Sequence, residues 1–349
     1  MVVPMRRYFG PRTLLLGSVF IVILAQLISA VRDPDFWWHI RTGQWILDHG
    51  RLPGHDLFTF TVPPSRVWTD HEYLSEVLMW LIYSHFGVAA FSLAIGLMTW
   101  LSFWLIYQRA GGGTQPYVVV GIAIALGVMA GAPIFGPRAQ MVTFFFTCLE
   151  LLWIERFLAR GSRPESTRRR FPAMYLFPLL MVLWVNMHGS WIFGLGLLGI
   201  VLASEALLWL VNRDDRHKEN CQRLGAVLVL SCLTPLLTPN GPALLAYPLV
   251  TQGSQAQQSL IVEWLSPDFH SASIHPFEAM LLLLFVGMIL QRPRLRDLLL
   301  SLAVVVLSLQ SVRHMVLFVA VATPILIEVW AGVWRQQVNL HPRLGTLGA

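Results

Sequence analysis

Ten apolar windows recur along the chain, near residues 13–31, 87–107, 117–132, 139–158, 171–187, 191–211, 224–238, 277–290, 297–311 and 315–333, with polar segments between them. A bilayer core is crossed by about 20 apolar residues in a helix, so this spacing predicts an all-α, polytopic membrane helix bundle of about ten spans. Several windows are short or hold Gly and Pro, which neighbouring helices in a bundle tolerate. Together they fill 1–334 as a single transmembrane domain, leave 335–349 as a short cytoplasmic tail, and leave no room for a separate soluble domain.

The longest polar interval, 32–86, carries helical signals of its own. Asp35 is placed to cap a helix from Phe36 to Leu47, ended by Asp48-His49-Gly50. Trp37, Trp38, Trp45 and Ile46 suit a helix lying in the interface plane. Leu52-Pro53-Gly54-His55-Asp56 then turns. Thr69-Asp70-His71-Glu72 reads as a capping box that opens a second helix, Tyr73 to Tyr83. The loop is therefore expected to hold two in-plane helices over the bundle.

Composition agrees with a membrane setting: 55% of residues are hydrophobic and 13% charged, about half the charge of a soluble domain. The net charge of +6 does not point to nucleic acid, because 24 of the 25 basic residues are Arg and they fall in short clusters between apolar runs. That distribution is a topology signal, with the lipid bilayer as the partner. Met5-Arg6-Arg7 before an apolar run resembles a signal sequence, but 13–31 is longer than a usual signal core and is expected to be an uncleaved anchor. A cytoplasmic N-terminus places 19 of the 25 basic residues inside, including the Arg156–Arg170 cluster, and leaves the 239–277 segment, which has no Lys or Arg, outside. The expected location is the plasma (inner) membrane. Cys148 and Cys232 lie in apolar windows and Cys221 in a basic loop, a pattern that offers neither an extracytoplasmic disulfide nor a zinc spacing.

This orientation sends most of the titratable residues to the outer face. Asp33 and Asp35 flank Pro34 where the first span ends and are followed by Trp37-Trp38-His39. Either carboxylate could act as a general base or metal ligand, or the pair could be a helix cap and a solvated acid. Asn186-Met187-His188-Gly189 interrupts two apolar runs, as a site wall or as a tight turn in which Gly189 supplies a positive φ. Arg138 and Arg313-His314 are placed to grip a lipid phosphate, or to snorkel at the interface. Glu263-Trp264 offers an acid beside an indole that could stack on a sugar ring, or a plain interfacial belt. Thr238-Pro239-Asn240-Gly241-Pro242 is read as a turn.

Asp33-Pro34-Asp35-Phe36 before an aromatic helix is similar to the Asp-Pro-x-Phe stretch of oligosaccharyltransferase catalytic subunits, and the chain as a whole resembles the GT-C class of membrane glycosyltransferases. That resemblance implies a sugar transfer from a polyprenyl-phosphate carrier on the outer face and lays the catalytic role on Asp33. The protein mannosyltransferases of the class carry an acidic pair followed by His, which matches Asp35 and His39 loosely. The chain also looks like bacterial multi-span proteins of the cell envelope with Asp-Pro-Asp-x-Trp-Trp-His, Asn-x-His-Gly and Glu-Trp motifs, here Asp33 to His39, Asn186 to Gly189 and Glu263-Trp264.

The expected activity is an inverting glycosyl transfer with Asp33 or Asp35 as base and His39 beside it as a further catalytic residue. Arg138, Arg313 and His314 would stabilise the departing phosphate, and Asn186, His188, Glu263 and Trp264 would line the pocket. A divalent ion, Mg²⁺ or Mn²⁺, would suit oxygen ligands from Asp33, Asp35 and Glu263. The implied partners are a polyprenyl-phosphate-linked sugar and a glycan, lipid or protein acceptor. The alternatives are a multi-span transporter or flippase, which calls for ionisable residues along a path through the membrane, and a non-catalytic assembly subunit. Glu150, Glu155, Glu205 and Glu328 are the acids read within spans.

Overall fold

A computed structural model describes residues 10–61, 63, 67–160 and 172–340. The elements are α1 (Pro11–Leu27), α2 (Phe36–His49), α3 (Tyr73–Arg109), α4 (Tyr117–Gly131), α5 (Gln140–Arg160), α6 (Phe177–Met187), α7 (Trp191–Asn212), α8 (Asp215–Cys232), α9 (Ala243–Gln252), α10 (Gln255–Leu260), α11 (His275–Leu290), α12 (Leu295–Gln310) and α13 (Met315–Leu340). Among the described residues the extended pairing is limited to one isolated bridge, His55 with Val67. The protein is all-α, and every apolar window of the sequence falls on a helix.

Four helical stretches are long and apolar enough to cross a membrane: Tyr73–Arg109, Trp191–Asn212, Asp215–Leu237 and Val312–Leu340. Arg12–Leu27, Tyr117–Gly131, Ala173–Met187 and His275–Leu290 are shorter apolar helices. Both expected loop helices are present, as α2 and as the start of α3, which breaks at Gly87 in a left-handed conformation (φ 78°, ψ 178°). In the long base-free segment α9 and α10 were not anticipated; Pro248 within α9 and the polar Gln255-Ala256-Gln257-Gln258 of α10 blur any apolar period there. Helix α13 runs on to Leu340, into the expected tail. Arg6, Arg7, Arg163, the Arg168-Arg169-Arg170 run and 341–349 lie outside the described residues.

The caps differ in detail from the sequence reading. Asp35 precedes α2 but forms no side-chain cap; Asp33 accepts the Asp35 N–H instead, at 3.0 Å. Pro34 explains the change, because it fixes the chain so that the first carboxylate folds back over the turn. Before α3 the carboxylate of Asp70, not the hydroxyl of Thr69, accepts the Glu72 N–H at 3.2 Å. Gly50 closes α2 as expected, left-handed and with its N–H on Ile46 O at 2.8 Å.

Contacts group the chain into two compact units, one of 1–27, 99–135 and 263–349, the other of 28–98 and 136–262. The first unit is organised around α13, which packs on α4, α11 and α12. Every residue from Met315 to Ile327 is buried, as an all-apolar helix requires. Pro324 cannot donate to Ala320 O, and the Arg109 guanidinium supplies that carbonyl with a donor at 3.4 Å while also reaching Val321 O at 3.5 Å. Arg109 faces Asp297 at 3.6 Å, both buried, and Asp297 is paired with Arg294 as well.

The second unit holds α2 and the first part of α3 against each other through Phe36, Ile40, Met79, Phe91 and Ala139, with Phe36 and Phe91 ring centroids 5.2 Å apart. The two helices touch backbone to backbone: a Cβ on Gly43 would stand 2.1 Å from Glu76 O. No side-chain rearrangement relieves that clash. Gly43→Ala is therefore expected to lower stability by about 2–3 kcal/mol, read as an earlier midpoint in denaturant unfolding of the detergent-solubilised protein; an unchanged midpoint would contradict the close crossing.

Candidate active site

Within the second unit Asp33 is held by its own turn. Its main-chain carbonyl accepts the Phe36 N–H at 3.3 Å and Oδ1 accepts the Asp35 N–H, which aims Oδ2 at Arg138 Nε, 3.1 Å away. The side chains are largely enclosed, Asp33 14% exposed and Arg138 20%. Asp35 is exposed. Of the two carboxylates flanking Pro34, Asp33 alone has the enclosed, oriented setting that acid–base chemistry needs.

One turn into α2, His39 is buried and its Nδ1 meets Glu76 Oε1 at 2.9 Å. His39 and Gly43 are four residues apart and share a helix face, so the crossing that Gly43 permits is what brings Glu76 to the imidazole. A carboxylate on Nδ1 fixes the tautomer whose Nε2 can accept a proton. Trp38 lies against the ring, centroids 3.7 Å apart.

Around this pair stands a cluster whose Asp70, His71 and Glu72 the sequence reading had taken only as part of a capping box. Glu72 Oε1 is 2.8 Å from His71 Nε2, which Tyr247 of α9 also reaches with its hydroxyl at 3.2 Å while stacking on the ring. Burial pushes Glu72 up, but His71, through charge and hydrogen bond, together with His39 and His188 holds it well below the usual carboxylate range. Burial dominates at Asp70 and raises it, against hydrogen bonds from the Glu76 side chain and the Glu72 backbone. Asp70 Oδ2 and Glu76 Oε2 are buried and meet no N–H donor among the described residues, so the two carboxyl groups are matched when they share one proton. The spacing Asp70-x-Glu72-x-x-x-Glu76, with the last two on one helix face, was the available signal.

His188 and Asn186 sit in the same unit, at the end of α6. His188 Nδ1 accepts from Ser190 N at 3.3 Å and from the Thr143 hydroxyl at 2.9 Å, and Thr143 in turn accepts the Trp184 indole N–H at 3.1 Å. The neutral ring therefore carries its proton on Nε2, an assignment made from the network. Asn186 donates to Val182 O at 2.6 Å, and its buried Oδ1 meets no donor among the described residues. Gly189 has no positive φ, contrary to the expected left-handed turn. Its lack of a side chain serves packing instead, since a Cβ there would lie 2.6 Å from His71 Cδ2. The turn segment after α8 contributes too: Asn240 donates to Asp70 O.

Glu263, Trp264, Arg313 and His314 belong to the first unit. Arg313 lies over the Trp264 ring at 4.5 Å, so that indole face holds a guanidinium where a sugar was expected. Ser311 donates to Glu263 O at 2.8 Å, and Val312 N–H to Leu265 O at 3.0 Å, joining this loop to the start of α13. His314 is buried with Nδ1 3.2 Å from Leu307 O. The ten residues expected in one pocket thus fall into two sets, one in each unit. A hard divalent ion wants about six oxygen ligands, whereas among the described residues no group of three or more His, Cys, Asp or Glu is arranged to hold a metal, and Asp33 is engaged by Arg138. The donor set as it stands does not fit Mg²⁺ or Mn²⁺, and no step below passes through one.

This helical framework matches solved structures at low sequence identity. A crystal structure of the Archaeoglobus fulgidus oligosaccharyltransferase tethered to an acceptor peptide with the NVT sequon superposes with a TM-score of 0.62 at 13% identity, over 98% of this chain and 52% of that one. The fold is GT-C-like. The oligosaccharyltransferase AglB of the same archaeon, in complex with an inhibitory peptide and a dolichol-phosphate, gives the same score and identity over 99% of this chain and 53% of that one. The chain spans about half the length of these neighbours. No family model and no curated protein matches it.

The raised acid in this GT-C-like fold makes a signed pH prediction. A group whose folded value lies above its unfolded one costs stability wherever the unfolded chain has lost that proton, so Asp70 weakens the fold at neutral pH. Asp70→Asn, which keeps an acceptor for the Glu72 N–H, is expected to raise stability at neutral pH. The gain fades as pH falls toward 3.8, the ordinary aspartate value, and thermal unfolding across that window checks it. Glu72 has the opposite sign: its contribution is present above 4.5 and is lost as pH drops through its lowered value.

Proposed function

We propose that this chain is a membrane glycosyltransferase that moves a sugar from a polyprenyl-phosphate donor to an acceptor on the extracytoplasmic side. The observation that carries the reading is the enclosed Asp33–Arg138 pair, with Asp33 in the turn before α2, in a GT-C-like fold. The dolichol-phosphate and peptide in the neighbouring AglB structure support a lipid-linked donor and are compatible with a protein acceptor. Glycan and lipid acceptors remain within the same chemistry.

In this reading Asp33 takes the acceptor's proton as the acceptor attacks the anomeric carbon, and the bond from that carbon to the phosphate oxygen breaks with inversion. Arg138 passes from Asp33 to the departing phosphate, where negative charge grows, and so frees the carboxylate oxygen that receives the proton. His39, held by Glu76, stands as the second group able to accept a proton. Asn186 and His188 line the acceptor side. Within the first unit, Arg313 on the Trp264 indole, with Glu263 and His314 next to them in sequence, is a further cationic group suited to a lipid phosphate. The plasma membrane and a cytoplasmic N-terminus complete the proposal, on the strength of the Arg distribution.

The test is sugar transfer by the full chain in phospholipid vesicles supplied with polyprenyl-phosphate sugars. Asp33→Asn is expected to lower turnover by about 10²–10⁴-fold, the range of a lost general base. Exposed Asp35→Asn should leave turnover within a few-fold. Turnover indifferent to Asp33→Asn removes the base, whereas solute or lipid flux without transfer replaces the enzyme by a transporter or flippase.

A further inference from the structure

Helix α5 carries a polar stripe that the proposed chemistry does not use. Gln140, Thr143, Thr147 and Glu150 are all buried, at 5%, 2%, 0% and 0% exposure. At about 100° per residue their spacing sets them on one face of the helix. The upper end is tied to the cluster already described, through the Thr143 hydroxyl on His188 Nδ1. Farther along, nothing completes the stripe: Thr147 Oγ1 and both oxygens of Glu150 are buried and have no hydrogen-bond partner among the described residues. The Trp191 indole N–H, at the start of α7, is in the same condition.

Glu150 is walled by Trp184 and α7. A Cβ on Gly194 would lie 3.2 Å from Glu150 Oε2 and 2.6 Å from Trp184 Cζ3, so the absence of a side chain at Gly194 is what lets α7 come this close to both. No charged side chain among the described residues acts on it. An unpaired carboxylate in such surroundings is strongly disfavoured, whereas a protonated carboxyl needs only ordinary hydrogen-bond partners. Orphaned hydroxyl, indole and carboxyl groups within one helical layer are the setting in which internal water is retained.

We propose that Glu150 is a proton-binding site in the interior of the second unit, joined to His188 by internal water running along the Thr147 and Thr143 hydroxyls. A proton leaving the Glu150 carboxyl passes to water, water gives one to Thr143 Oγ1 as the Thr143 O–H proton moves onto His188 Nδ1, and the imidazolium so formed releases its Nε2 proton. The carboxylic acid becomes a carboxylate, the hydroxyl is regenerated and the imidazole is neutral again with its proton on Nδ1; the reverse sequence reloads the carboxyl. The assignment does not depend on glycosyl transfer, because the site at Glu150 includes neither Asp33 nor Arg138 and its readouts need no substrate.

The experiment uses the full chain in phospholipid nanodiscs and two readouts that need no substrate. Dicyclohexylcarbodiimide, an apolar reagent for protonated carboxyl groups, is expected to form an adduct mapped by mass spectrometry to the peptide holding Glu150. The infrared stretch of a protonated carboxyl should be lost in the near-isosteric Glu150→Gln and should shift on transfer to heavy water. Thr147→Val is expected to slow that exchange roughly tenfold, the effect of one lost relay hydrogen bond. No adduct in the wild-type protein and no Glu150→Gln-sensitive band overturn the proton site. A band that never exchanges, or exchange indifferent to Thr147→Val, overturns the water connection, and the carbodiimide result on unaltered protein stands even if a variant fails to fold.

Discussion

The backbone crossing of α2 over the start of α3 at Gly43 is the constraint from which the candidate site follows. Because that glycine lets the Glu76 carbonyl approach, His39 meets the Glu76 carboxylate one turn away and Phe36 seats against Phe91. Seating Phe36 in turn fixes the Asp33-Pro34-Asp35 turn that precedes it, and with it the direction of the Asp33 carboxylate toward Arg138. One close contact therefore orients the Asp33 carboxylate and the His39 imidazole together with their partners.

The two units answer the cost of enclosed charge in different ways. In one, Arg109 stands among the carbonyl freed by Pro324, its neighbour and the carboxylate of Asp297, so that donor and acceptors match. In the other, acids gather: Asp70 and Glu76 suit a shared proton, Glu72 leans on His71, and Glu150 has no charged partner among the described residues. Asp33 rests on the Arg138 guanidinium, so the second unit compensates its carboxyl groups with protons and imidazoles as well as with a guanidinium.

The candidate site was legible in part. Asp33, His39 and His188 announced themselves as polar residues at the ends of apolar runs, where ionisable groups are costly. Asp70 and Glu72 read as part of a helix cap, and nothing local said that Glu76 would meet His39 or that Tyr247 would reach His71. The role of Asp35 was misjudged because capping statistics ignore the proline that hands its place to Asp33. Gly189 was misread for a similar reason: a glycine in a turn suggests a positive φ, while here the demand comes from His71, distant in sequence.

By itself the sequence determined that the chain is helical and membrane-bound, since a low-dielectric solvent forces backbone groups to pair within each apolar segment and so writes every span into local composition. It determined as well the helix stop at Gly50 and the two loop helices, which depend on neighbours a few residues away. Tertiary structure alone decided that Asp33 rather than Asp35 is enclosed, that Arg313 lies on Trp264, that α9 delivers Tyr247 to His71, and that the Thr143–Glu150 stripe faces inward. Those outcomes turn on which helix faces which, a matter of packing between segments far apart in the chain that no local periodicity encodes.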